Sequence, residues 1–194
     1  MNGKCCAAVL AAAALAALSA SAELSVIKID EADRYGPASE LSGITYVDSY
    51  ERDLFYAVDD KQDALCRLYI KFYDDGRING NAWAGDEVAL ENSKGVDVEG
   101  CAFDPASGNV WVSQECLSKT TRSLIREFSP ANGAELRSAP VPVILNQSAE
   151  NYSLEALTIS GDGLTMWTCN EESLMCDGEL SAKDTGSVVR LTIA

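Results

Sequence analysis

The chain contains no histidine among its 194 residues. That absence excludes a Ser-His-Asp triad, a Cys-His pair, histidine-ligated zinc and a phosphohistidine intermediate. Any chemistry must run on carboxylates, Lys, Arg, Tyr, backbone groups or a bound metal. Basic residues are scarce as well, with 15 Lys and Arg against 30 Asp and Glu and a formal charge of −15. Nucleic acid draws its affinity from basic groups that neutralise phosphates, so it is excluded as a partner, and anionic membrane surfaces are disfavoured too. Excess carboxylate suits divalent cations, which take oxygen ligands. Most of these charges nevertheless read as an ordinary hydrated surface.

Only one long apolar run exists, Ala7–Leu18, preceded by Lys4 and followed by the small residues Ala20-Ser21-Ala22. This is the pattern of a secretory signal peptide over residues 1–22, cleaved after Ala22, and not of a membrane span. The expected product is secreted or periplasmic. Its formal charge is −16, because Lys4 is lost with the leader. It keeps five cysteines, Cys66, Cys101, Cys116, Cys169 and Cys176, an odd count that leaves at least one thiol unpaired. Cys169 and Cys176 flank a short loop and form the best candidate pair. Amphipathic helical periodicity is missing from the mature chain.

What is present is a repeat. The stretch LSGITYVDSYERDLFYAVDD at 41–60 returns as VEGCAFDPASGNVWVSQE at 98–115 and as LEALTISGDGLTMWTCNEE at 154–172. Gly43 and Gly100 are 57 residues apart, while Gly100 to Ala156 and Trp111 to Trp167 are both 56. A period of this length marks a repeat architecture. Each unit reads as an inner strand, a turn rich in Asp, Ser and Gly, a second strand ending on a carboxylate, and a third strand carrying Arg67, Arg126 or Arg190. Short, evenly spaced strands with Gly and aromatic marks predict an all-β fold, an incomplete, about three-bladed β-propeller of four-stranded antiparallel blades. The repeats fall near 38–95, 96–148 and 149–194. Fourth strands are expected within Ala82–Leu90 and at Val141–Leu145, the latter at a sheet edge because Pro140 and Pro142 cannot donate to a ladder. The third unit lacks a fourth strand, and residues 24–29 read as a further strand able to complete a blade. Three units cannot close a ring of ordinary geometry. A piece of a longer protein, pairing of two copies, and an open arc whose blade edges self-associate all remain open. Trp111 and Trp167 are expected to pack between blades, and the three arginines to act as structural ion-pair partners.

Within each unit the beginning of the inner strand lies beside the end of the second strand. Glu99 is therefore expected near Glu115, and Glu155 near Glu171, with Asp59 or Asp60 as the first-repeat counterpart and Asp97 close by. Converging carboxylates repel one another unless a proton or cation intervenes. An oxygen-only donor set suits Ca²⁺ or Mg²⁺ over zinc or copper. The expected metal ligands are Glu99, Glu155, Asp59 and Asp60, and the expected catalytic pair is Glu115 and Glu171. Lys61, Lys119 and Arg122 follow the second strands closely enough to meet a small anionic or phosphorylated substrate. A purely structural role, with the glutamates capping backbone N–H groups, is the competing reading.

The series Leu41-Ser42-Gly43-Ile44, Val98-Glu99-Gly100-Cys101-Ala102-Phe103-Asp104-Pro105, Val110-Trp111-Val112-Ser113-Gln114-Glu115 and Asn151-Tyr152-Ser153-Leu154-Glu155-Ala156-Leu157 with Asn170-Glu171 resembles the exported phytase-like family, "esterase-like activity of phytase". The resemblance implies a six- or seven-bladed propeller and a metal-assisted phosphoric ester hydrolase. It also implies that Glu99, Glu115, Glu155 and Glu171 occupy the family's acidic positions. Two departures are visible: the chain is about half the family's usual length, and Ala156 stands where the family prefers glycine. A non-catalytic binding or assembly module, and an inactive fragment of a longer propeller, are the alternatives.

Overall fold

A computed structural model describes residues 40–47, 53–115, 122–143, 145 and 152–171, with the backbone alone at 80–82 and 188–192. Apart from a short 3₁₀ turn that includes residues 143 and 145, the regular elements in them are strands. The first sheet holds β1 (Leu41–Tyr46), β2 (Leu54–Asp59), β3 (Ala64–Phe72) and β4 (Ile78–Ala89) in that order. The second holds β5 (Val98–Phe103), β6 (Val110–Gln114), β7 (Leu124–Phe128) and β8 (Glu135–Pro140), and the third β9 (Leu154–Ile159), β10 (Thr165–Asn170) and β11 (Val188–Thr192). All pairings are antiparallel. The strands succeed one another as meanders, so each sheet is one blade. The innermost strands β1, β5 and β9 pack against one another about a common axis. This is an incomplete β-propeller of three blades.

Two cores join the blades, and strand alternation explains both. On β6, Val110 and Val112 face the first blade, with Tyr56, Val58, Leu65 and Val98 in the same cluster. Trp111 points the other way and packs with Ile125, Leu154, Leu157 and Met166 of the junction to the third blade. The Arg137 guanidinium lies 4.7 Å from the Trp111 ring centre and pairs with Glu127. Trp111 is thus the inter-blade packing residue the repeat predicted, whereas Trp167 is half-buried.

One strand differs from expectation. The outer strand of the second blade is Glu135–Pro140, not Val141–Leu145. Val141 and Leu145 are buried in the core beneath it instead. The strand itself is mostly exposed and polar, as an edge strand can be, so hydrophobicity pointed to its neighbours. In the first blade, β4 begins before the expected Ala82 and runs 12 residues. Cys66, Cys101 and Cys169 are free thiols, so the expected bridge from Cys169 is not formed. Cys169 is the penultimate residue of β10, paired with Ala156 and Val188. Burial pushes the Cys66 and Cys101 thiols up to about 12, and they pack as small apolar groups. The leader, the strand at 24–29, Cys116, Lys119 and Cys176 lie outside the described residues.

Candidate functional site

Each inner strand starts with the same irregularity. The pairing slips by one residue between Leu41 and Ile44, between Val98 and Cys101, and opposite Cys169 and Asn170. These are β-bulges, and they fall on Ser42-Gly43, Glu99-Gly100 and Glu155-Ala156. A bulge re-aims the side chain it carries, which is why bulges recur beside functional sites. The bulged backbone is satisfied locally, since the Gly100 N–H donates to the Ser113 hydroxyl at 2.7 Å. Glycine is required here by close approach. A Cβ on Gly100 would lie 2.6 Å from the Leu157 nitrogen, and one on Gly43 would lie 2.5 Å from the Glu99 carbonyl oxygen. The inner strands meet backbone to backbone, and the bulged carboxylates meet with them.

The second-strand carboxylates are held to the same place by a repeated backbone bond. Asp60 N–H donates to Glu40 C=O at 3.1 Å, Glu115 N–H to Asp97 C=O at 2.8 Å, and Glu171 N–H to Ser153 C=O at 2.8 Å. Two groups of carboxylates result. Asp60, Asp97 and Glu99 can bring one oxygen each within 4.8 Å of one another, and so can Glu99, Glu115 and Glu155. Glu99 belongs to both. The groups straddle the first and second blade junctions and form one acidic mouth.

Electrostatics follow from the crowding. Burial, then the neighbouring Glu155, raises Glu99 to about 7, while a hydrogen bond with Ser42 opposes the shift. Burial raises Glu115 to about 8, against the 2.5 Å bond that its Oε1 accepts from the Ser153 N–H. Glu155 is raised by burial and then by Glu171, and Asp97 by burial and then by Asp60. Burial and mutual repulsion thus push all four carboxyls the same way, toward the protonated form. Among the described residues, the Lys61 ammonium stands on the rim, 3.1 Å from Glu40 and 3.5 Å from Asp60. Five carboxylates without nitrogen or sulfur donors fit a hard divalent cation, whose charge would offset their repulsion.

A family model described as "Phytase-like: Esterase-like activity of phytase" matches residues 37–193. The chain belongs to the phytase-like family. No curated protein matches its sequence. Among solved structures it is similar to a luciferin-regenerating enzyme, at 14% identity and a TM-score of 0.42, over 67% of this chain and 37% of that one. It is also similar to the Myceliophteria thermophila Cps50 (Swd1) beta-propeller domain, at 10% identity and a TM-score of 0.40, over 68% of this chain and 34% of that one. A third likeness is to the tail fiber of Staphylococcus aureus phage P68, at 14% identity and a TM-score of 0.35, over 62% and 26%. The phytase-like chain thus spans about a third of the solved chains it matches.

In this phytase-like chain the residues singled out from sequence divide cleanly. Glu99, Glu115, Glu155 and Asp60 converge, with Asp97 among them. Glu171 is exposed and close enough to Glu155 to raise its pKa. Asp59 points to the other side of β2, where it lies with Cys66 and Glu87 and accepts from the Gln62 N–H at 3.0 Å. Lys61 is occupied by its two carboxylates, and Arg122 is exposed. Arg126 has the structural role expected of it: buried, it pairs with Glu135 at 2.7 Å and donates to Ser93 Oγ and Glu91 C=O. Arg67 donates to the Pro130 carbonyl across the blade junction instead of pairing with a carboxylate. Glu40 and Ser153 escaped the sequence reading. Their signal was positional, because they and Asp97 stand two residues before the bulged residue in each repeat.

Proposed function

We propose that this exported phytase-like chain binds Ca²⁺ or Mg²⁺ at the acidic mouth and hydrolyses a phosphoester there. The observation that carries the reading is the sharing of Glu99 between two carboxylate groups at adjacent blade junctions. Asp60, Asp97, Glu99 and Glu155 are the assigned cation ligands. When bound, a divalent cation supplies charge that polarises a phosphoryl oxygen and acidifies water. Glu171, exposed at the rim, serves as the base that takes a proton from the attacking water. As the new P–O bond forms, the ester P–O bond breaks, and the leaving alcohol oxygen receives a proton from Glu115. That acid role suits a carboxyl held at about 8. Lys61, and the sequence-assigned Lys119 and Arg122, supply cationic groups for the anionic substrate. Export is supported by the leader pattern around Ala7–Leu18.

A second reading has its own observation. The short bond from Ser153 N–H to Glu115 ties the third blade to the second, as a structural carboxylate would. Under that reading the mouth holds a cation, or only protons, and the domain is a non-catalytic binding module. Aryl phosphate hydrolysis by the purified chain separates the two. Turnover that is lost to a chelator, restored by Ca²⁺ or Mg²⁺ and abolished in Glu171→Gln supports the hydrolase. Equal rates with and without chelator remove it, and a cation-dependent rise in melting temperature without turnover favours the binding module.

A further inference from the structure

The blade junctions repeat, so each blade has an incoming face that receives the previous blade and an outgoing face that covers the next. Val98 and Cys101 on β5 and Leu154 and Leu157 on β9 are the incoming residues of the second and third blades, and all four are buried. Their counterparts on β1 are Leu41 and Ile44, with Tyr46 at the position of Phe103 and Ile159. These three are 39%, 54% and 51% exposed. The first blade therefore presents an apolar incoming face whose natural cover is the outgoing face of another blade. Outgoing faces carry an aromatic at one fixed place on the second strand: Tyr56 covers the second blade and Trp111 the third. The third blade has Trp167 at that place, half-buried.

We propose that two copies of this chain close a six-bladed ring, the third blade of each covering the first blade of the other. Trp167 then packs over Ile44 and Tyr46 of the partner subunit. The arrangement has two-fold symmetry and uses both junctions at once, so the assembly is closed and does not grow into a filament. Six blades lie within the range that propellers adopt. The new junctions also extend the acidic mouth, because Ser42 of the partner subunit takes beside Glu155 the place that Glu155 takes beside Glu99 within the chain. One feature resists closure. Ala156 takes the place of Gly43 and Gly100, where a Cβ would come within 2.6 Å of the next inner strand. That methyl holds the junction between copies wider than the junctions within the chain.

Sedimentation velocity on the purified chain over a micromolar range tests the proposal. A dimer is expected, near twice the 20.7 kDa chain before the leader is removed. Ile44→Asp should raise the dissociation constant at least about thirtyfold, as loss of a central apolar contact does. Trp167→Ala should weaken the dimer as well, whereas Ala156→Gly should tighten it about tenfold by relieving the overpacked contact. The last variant adds no charge and removes no core group, so it stays informative if Ile44→Asp fails to fold. A chain that is monomeric throughout, with the face covered by its own residues, overturns the proposal, as do species larger than a dimer. A dimer sensitive to Ile44→Asp but indifferent to Trp167→Ala and Ala156→Gly also overturns it, because first blades would then pair with each other.

Discussion

Among the described residues acidic and thiol groups gather in two places, at the mouth and within the first blade, yet only one has the character of a site. Asp59, Cys66 and Glu87 lie within a single blade. Cys66 and Glu87 are cross-strand partners in the β3–β4 ladder, and their proximity follows from register alone. The Cys66 thiol, raised to about 12 by burial and the nearby carboxylates, donates to Glu87 at 3.7 Å, and Asp59 caps the Gln62 N–H. Each group there has an internal partner. At the mouth, Glu99, Glu115 and Glu155 come from two blades: bulges that interrupt the ladders aim Glu99 and Glu155, and the backbone bond to Asp97 holds Glu115 beside them. Side chains brought together by ladder pairing satisfy one another. At the mouth Glu99 and Glu115 have hydrogen-bond partners in Ser42 and the Ser153 N–H, but the crowded carboxylates repel one another and a cation would relieve that.

The strongest way to break this contrast is to widen the mouth without touching a carboxylate. Gly100→Ala places a Cβ 2.6 Å from the Leu157 nitrogen. It should cost about 1–3 kcal/mol of stability in chemical denaturation. It should also reduce the rise in melting temperature with Ca²⁺. An unchanged calcium response in a destabilised variant would separate the mouth from the inner-strand contact on which the geometry rests.

A second prediction uses protons. Glu99 at about 7 and Glu115 at about 8 are both raised above the ordinary glutamate value, so the folded state binds more protons than the unfolded one. The stability they contribute is full in acid and is lost as pH rises through these values. In the presence of chelator the melting temperature should fall as pH is raised from about 5 to about 9, and Glu115→Gln should flatten that slope. Added Ca²⁺ should oppose the fall. A melting temperature that rises across this window would contradict the assigned shifts.

The smallest effect is expected at the other cluster. Glu87→Gln leaves a polar partner for the buried Cys66 thiol at a half-buried position, and should change stability by about 0.5 kcal/mol or less. It should leave the calcium response intact. A loss of that response would move the cation site to the first blade.

Much of this arrangement was legible before folding, because a repeat reports its own structure. The 56-residue recurrence located the hairpins, placed Trp111 between blades and brought Glu99 beside Glu115. What escaped has physical causes. The edge strand Glu135–Pro140 is mostly exposed, with apolar and polar residues on both sides, and gives no periodic signal, whereas the buried Val141 and Leu145 imitate one. The choice between Asp59 and Asp60 depends on which side of β2 each faces, and alternation fixes that only once register is known. Bulges escaped too, since the one-residue slip at Glu99-Gly100 is a property of pairing and not of composition.

The central claim is that Glu99 is the ligand shared by two carboxylate groups, and calorimetric titration of chelator-stripped protein with Ca²⁺ tests it most directly. Saturable binding that is lost in Glu99→Gln and retained in Glu87→Gln is the predicted result. No heat of binding in the wild-type chain, or binding that survives Glu99→Gln undiminished, would contradict it.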